Sequence, residues 1–174
     1  MDFDLLLIQK MKRGNENAFD IFVRKHYEEI LKYCSYHCLD TSYAEDLTQE
    51  TFLHFCEKIS DYRYIGKTRN YLYTIAGNLC RDYYKKTKES LLEEYPKDIQ
   101  SSLHQSEYED ILNKIAIEAA LNHLPEELRE IIVLYYFQEL KLAEIADVLQ
   151  IGLPLVKYRI RQAKMRLEKL LREE

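Results

Sequence analysis

Apolar residues recur every three to four positions through most of the 174-residue chain, the spacing of helices that bury one side. Phe19, Phe22, Val23, Tyr27, Ile30, Leu31, Cys34 and Cys38 draw one long stripe. Ser42-Tyr43-Ala44-Glu45 reads as a capping box, with Ser42 as N-cap and Glu45 reaching back, opening a helix that runs to about Ile59. A polar, aromatic stretch, DYRYIGKTRN, leads into a further helix, YLYTIAGNLCRDYYKKTK, where Tyr71, Leu72, Ile75 and Leu79 keep the buried spacing. The pattern lapses between Lys88 and Asp110, where Glu89, Glu93, Glu94, Asp98, Glu107, Glu109 and Asp110 face only Lys88 and Lys97. It resumes with Pro125, Glu126 and Glu127, suited to a first helical turn. The buried face expected there is Leu128, Ile131, Ile132 and Tyr135. A short helix on Leu142, Ile145, Ala146 and Leu149 follows, and then LPLVKYRIRQAKMRL, residues 153–167. The expected fold is all-α: two small helical domains, 1–88 and 113–174, joined by a flexible acidic linker, 89–112.

Composition supports helices over strands, with only 4 glycines and 3 prolines. No run of ~20 apolar residues is long enough to span a membrane. The start, MDFDLLLIQKMKRG, places acids ahead of a short apolar run, the wrong order for a signal peptide. A soluble cytoplasmic protein is expected. Cys34, Cys38, Cys56 and Cys80 form no disulfide framework or CxxC pair. They read as small buried apolar residues, so no metal and no cofactor is expected.

Charge changes the picture at the C-terminal end, because the chain is acidic overall at a formal −5. With Val156 at zero on a helical wheel, Ile160, Ala163 and Leu167 fall within about 40° of it. Tyr158, Arg159, Arg161, Gln162, Lys164 and Arg166 fill the remaining arc, and Lys157 adds a further cation to the helix. Short helix, three-residue turn, longer basic helix is the helix-turn-helix layout, whose second helix enters the DNA major groove. The plain alternative is a solvated face that serves solubility.

Two further patterns occupy the N-terminal half. Asp46, Gln49, Glu50, Leu53 and Glu57 share one side of the 42–59 helix, an acidic stripe with an exposed leucine that suits a basic partner helix. An ordinary solvated face is the competing reading. Beyond it, Tyr62, Arg63, Tyr64, Lys67, Arg69, Tyr71, Tyr73, Arg81, Tyr83, Tyr84, Lys85, Lys86 and Lys88 interleave rings with cations. Cations follow phosphates and ring faces stack on unpaired bases, which is what single-stranded nucleic acid requires. Tyr71, at helical spacing, is read as mainly structural.

YAEDLTQETFLHF followed by RNYLYTIAGNLCRDYYKK resembles region 2 of bacterial sigma factors. LNHLPEELREIIVLYYFQELKLAEIADVLQIGLPLVKYRIRQAKMRL resembles their region 4. Together they resemble the compact extracytoplasmic-function (ECF) group of the sigma-70 family, over roughly residues 14–88 and 115–171. The resemblance implies an initiation subunit of RNA polymerase. The face of Asp46, Gln49, Glu50 and Leu53 would meet the clamp coiled coil of the largest subunit, with region 4 at the flap. The loop from Asp61 to Lys67, including Tyr62, Arg63 and Tyr64, would capture a flipped −10 base. Arg69, Asn78 and Arg81 would lie near the single-stranded −10 element. Lys157, Tyr158, Arg161 and Gln162 would read duplex −35 bases, with Arg159 and Lys164 on phosphates. An anti-sigma factor is an implied partner. Tyr71, Gly77, Lys141, Gln150 and Leu155 depart from residues usual in the family, which bears on promoter preference.

A helix-turn-helix regulator acting on a symmetric operator is the alternative function. It leaves the ring-and-cation cluster and the acidic face unexplained. No Gly-rich phosphate loop, nucleophile-base set or metal spacing points to an enzyme.

Overall fold

A computed structural model describes residues 3–38, 41–90, 117 and 119–172. Most of the expected acidic linker, 91–112, lies outside the described residues. Among those described there is no strand, as the all-α reading requires. No described helix is long and apolar enough to cross a membrane. The chain divides into two compact units. One holds the residues up to Lys85 with Ala146–Gln150, and the other holds the remainder.

The first unit begins with α1 (Phe3–Lys12), a helix the apolar pattern did not announce. Its run is short, but Leu7, Ile8 and Met11 fall on one side and are buried. Gly14 then takes φ 79° and bonds its N–H to the Met11 carbonyl at 2.9 Å, the left-handed helix end that glycine adopts without a Cβ penalty. Asn15 caps α2 (Glu16–Ser35), its side-chain oxygen accepting from the Ala18 N–H at 2.9 Å. α3 spans Thr41–Glu57 and α4 spans Thr68–Ser90. Because α3 already begins at Thr41, Ser42 lies inside its first turn and is not the N-cap.

α1 packs on α2, and α2 on α3. Rings dominate the core. Phe22 stacks on Phe55 with centroids 4.8 Å apart, and Tyr33 meets Tyr73 at 5.2 Å; all four are fully buried. His26 and Tyr33 complete the inner line of α2, which the apolar pattern had drawn without them. The buried Asp4 of α1 accepts from Lys25 at 2.6 Å and lies 3.2 Å from His26, whose other ring nitrogen faces Glu29 at 2.9 Å. A carboxylate leaves water at tolerable cost only when paired in this way.

Cys80 of α4 meets Cys34 of α2 and Cys38 just beyond its end. Hydrogen bonds with those two thiols, and then burial, push the Cys80 thiol well above its ordinary pKa. Cys34 and Cys80 are buried, whereas Cys56 stands exposed on α3 and departs from the buried reading. Among the described residues no cluster could hold a metal ion.

In the second unit, residues 119–122 are helical and α5 spans Glu126–Ile132. Pro125 occupies the N-cap position, one residue earlier than expected, and its carbonyl accepts from Leu128 and Arg129 at 2.9 and 3.0 Å. Glu126 and Glu127 stand in the first turn. α5 runs on into a π-helical turn, Val133–Phe137, closed by the Gln138 N–H on the Val133 carbonyl at 3.0 Å. The extra residue in this wider turn rotates the register. Val133 and Leu134 become fully buried while Tyr135 is only half-buried and Tyr136 faces outward. The expected inward place of Tyr135 is thus taken by its two predecessors. α6 spans Leu142–Leu149, its residues from Ala146 on counted with the first unit, and α7 spans Leu153–Arg172; α5 packs on α7.

Candidate nucleic-acid interface

α6, a three-residue connection and α7 supply the helix, turn and longer helix of the sequence reading. Lys141 stands where a capping hydroxyl is common, yet half of the capping box survives. The Glu144 carboxylate accepts the Lys141 N–H at 3.0 Å. After α6, Gln150 takes φ 53°, and its side-chain amide donates to the Asp147 carbonyl. That left-handed turn suits glycine, and the side-chain bond offsets part of the strain. The Gly152 carbonyl accepts from Leu155 and Val156 at 3.0 and 3.1 Å, so Gly152 acts as N-cap. Pro154 falls in the first turn, where an N–H has no intrahelical partner.

Val156, Ile160 and Ala163 are buried along α7, as the wheel requires. The six residues expected to contact the −35 duplex then separate by environment. Lys157, Tyr158 and Arg161 are exposed, with no partner among the described residues. Arg159 is drawn back to Glu127 of α5 at 2.9 Å and keeps 22% side-chain exposure. Lys164 lies over the rings of Tyr135 and Tyr136 at 6.0 and 5.4 Å from their centroids. A hydrogen bond with Tyr136 raises its pKa. Gln162 is half-buried. Arg159 is thus drawn off the exposed face, whereas Lys164 stays on it beside the rings.

In the first unit, Asp46, Gln49, Glu50 and Leu53 all stand exposed on one side of α3, with Leu53 at 59%. Ala44, Leu47, Phe52 and Phe55 fill the opposite side. Thr48 and Thr51 are buried among them because each hydroxyl donates to the carbonyl four residues back, at 2.7 Å.

Between α3 and α4, Asp61, Arg63, Ile65 and Lys67 are exposed, and Tyr64 is half-buried. Tyr62 turns inward and stacks on Tyr71 at 4.8 Å, with Phe55 edge-on at 5.4 Å. Burial raises the Tyr62 phenol above its ordinary pKa, while the neighbouring Thr68 hydroxyl pulls the other way. Tyr71 thus has the structural place expected of it. On α4 the predicted residues divide. Asn78 is exposed and accepts from Arg81 at 3.2 Å. Arg69 lies on the packed side, 4.0 Å from Glu29 and over the Tyr73 ring at 5.7 Å. Around the helix axis it is turned about 180° from Asn78 and about 120° from Arg81. Glu144 and Lys12, which position these groups, carried no periodic signal and went unmarked in the sequence, and Glu127 was marked only as a first-turn acid.

"Sigma-70 region 2" matches residues 22–90, and "Sigma-70, region 4" matches residues 114–167. The chain is 30% identical to the ECF RNA polymerase sigma factor SigW of Bacillus subtilis, over 95% of each chain. It is 26% identical to the RNA polymerase sigma-H factor of Pseudomonas aeruginosa, over 97% of this chain and 93% of the other. The fold is shared with CnrH, solved in complex with the cytosolic domain of CnrY, at a TM-score of 0.76 and 23% identity over 99% of each chain. It is also shared with RpoE of Bartonella quintana, solved with the anti-sigma factor NepR. There the TM-score is 0.72 and the identity 22%, over 88% of this chain and 96% of that one. Two matched regions, a helix-turn-helix with an exposed cationic face and a relative aligned from end to end identify the chain. It belongs to the ECF group of the sigma-70 family, the sigma factors that bind core RNA polymerase and direct transcription initiation at promoters.

Proposed function

We propose a division of labour in which residues 113–174 read the −35 duplex and residues 1–88 dock on core polymerase and hold the melted −10 strand, with the acidic segment 89–112 spanning between them. The carrying observation is the sorting of cations on α7. Among the described residues Lys157 and Arg161 have no partner, nor does Tyr158 between them, while Arg159 and Lys164 are engaged within their own unit. Base edges in the major groove are read by such unencumbered donors, Arg above all. Arg159 and Lys164 reach phosphates only by leaving Glu127 and the tyrosine rings.

The α3 face of Asp46, Gln49, Glu50 and Leu53 docks on the clamp coiled coil, and region 4 meets the flap. Its acids and its exposed leucine suit a basic, partly apolar helix. Asp61, Arg63, Tyr64 and Lys67, with Asn78 and Arg81 on α4, line the path of the −10 strand. Tyr62 supports that path from beneath, and Arg69 supports it through Glu29. The chain supplies no bond-making chemistry of its own. An anti-sigma factor covering these surfaces keeps it silent, a reading supported by the NepR complex of the similarly folded RpoE.

The test is reconstitution: core polymerase plus this protein, in run-off transcription from the promoter upstream of its own gene. A discrete transcript that requires both components is expected. No transcript, together with a dimeric complex on a symmetric operator, would favour the conventional regulator instead.

A further inference from the structure

We infer that Lys12, the last residue of α1, is a positioning residue for the −10 strand. Its ammonium donates to the Ser60 carbonyl at 3.2 Å and to the Tyr62 carbonyl at 2.7 Å. Both acceptors are backbone groups of the segment that leaves α3 and enters the exposed 61–67 loop. α1 precedes the stretch matched as region 2, which begins at residue 22, so the contact joins an element outside that match to the loop inside it.

The geometry explains why one lysine can matter here. The loop's far end is fixed, because Thr68 is buried as the first residue of α4. Its near end is a tight turn, in which Asp61 and Tyr62 donate to the Lys58 carbonyl at 3.2 and 3.0 Å. Those bonds use N–H groups and leave the Ser60 and Tyr62 carbonyls to other donors. A single ammonium carries three N–H groups, enough to bridge both carbonyls with charge-assisted bonds. The Tyr62 carbonyl lies next to the Arg63 amide, so the bridge fixes the backbone from which Arg63 departs. It also keeps the Tyr62 ring seated on Tyr71. α1 itself is a firm base, held by the buried Leu7, Ile8 and Met11.

The inference rests on the reading of the 61–67 loop as the −10 contact, so its test separates the two. Holoenzymes carrying wild-type protein, Lys12→Met, Lys12→Arg or Arg63→Ala are mixed with a promoter bearing 2-aminopurine in the −10 non-template strand. The fluorescence rise reports an unstacked base. Core affinity is measured alongside. Lys12→Met should reduce the rise about fivefold, the scale of one ordinary hydrogen bond lost at an exposed site, with core affinity unchanged. Lys12→Arg should restore it, since a guanidinium also bridges carbonyls. Arg63→Ala should lose the rise. A normal rise for Lys12→Met beside a defective Arg63→Ala would overturn the role of Lys12 and leave the loop reading standing. Normal rises for both would overturn the loop reading and the inference with it. Equal losses of core affinity and of fluorescence in Lys12→Met would reduce Lys12 to a stability residue and overturn the inference too.

Discussion

The two units carry their proposed nucleic-acid contacts in opposite ways. In the second, the proposed readers sit on a helix: Lys157, Tyr158 and Arg161 project from α7, whose other side is pinned by Val156, Ile160 and Ala163. Precision there comes from secondary structure. In the first, Asp61, Arg63, Tyr64 and Lys67 sit on a loop, and order must be supplied from outside it. A ring cluster of Phe55, Tyr62 and Tyr71 lies beneath, Thr68 is buried at one end and Lys12 grips the other. The difference suits the two targets. A duplex groove is a fixed shape that a rigid helix can match, whereas an unstacked base must be received by a surface able to enclose it.

Breaking the loop's support should have the largest effect. Phe55→Ala removes the ring shared by Phe22, Tyr62 and Tyr71 and should cost ~3–5 kcal/mol of stability in urea unfolding. A cost under about 1 kcal/mol would mean that the cluster does not hold the loop. Next comes the helix. Arg161→Ala should cost ~1–3 kcal/mol at one −35 base when holoenzyme binding is compared across single-base variants. Equal weakening on every variant would place Arg161 on a phosphate.

Smaller effects refine the contrast. Gln150→Gly relieves a left-handed residue and should stabilise the turn by about 0.5–1 kcal/mol in thermal unfolding, less the bond to Asp147. A destabilised variant would show that the side-chain bond outweighs the strain. Arg159 and Glu127 should show a coupling of ~0.2–1 kcal/mol in a double-mutant cycle, low because Glu127 is largely exposed. Salt should weaken that coupling further.

Much of this was legible in the sequence because it repeats. The wheel around Val156 and the polar stripe of Asp46, Gln49, Glu50 and Leu53 are periodic signals, and the helices bear them out. What escaped notice is not periodic. α1 was hidden by the shortness of its apolar run. The π turn at Val133–Phe137 shifts register by one residue and so displaced Tyr135. Lys12 grips backbone carbonyls 48 and 50 residues away, and no local pattern encodes such a partner. Arg69 and Arg159 looked free because their acids, Glu29 and Glu127, come from other helices. The meeting of Cys80 with Cys34 and Cys38 likewise depends on how α4 lies against α2.

The division of labour is tested most directly by run-off transcription with core polymerase on a grid of templates, each altered at one −35 or one −10 position. Arg161→Ala should flatten discrimination at a −35 position and leave the −10 profile intact. Arg63→Ala should flatten the −10 profile and leave the −35 profile intact. Either variant flattening both profiles, or the two exchanging their profiles, would contradict the assignment of one promoter element to each unit.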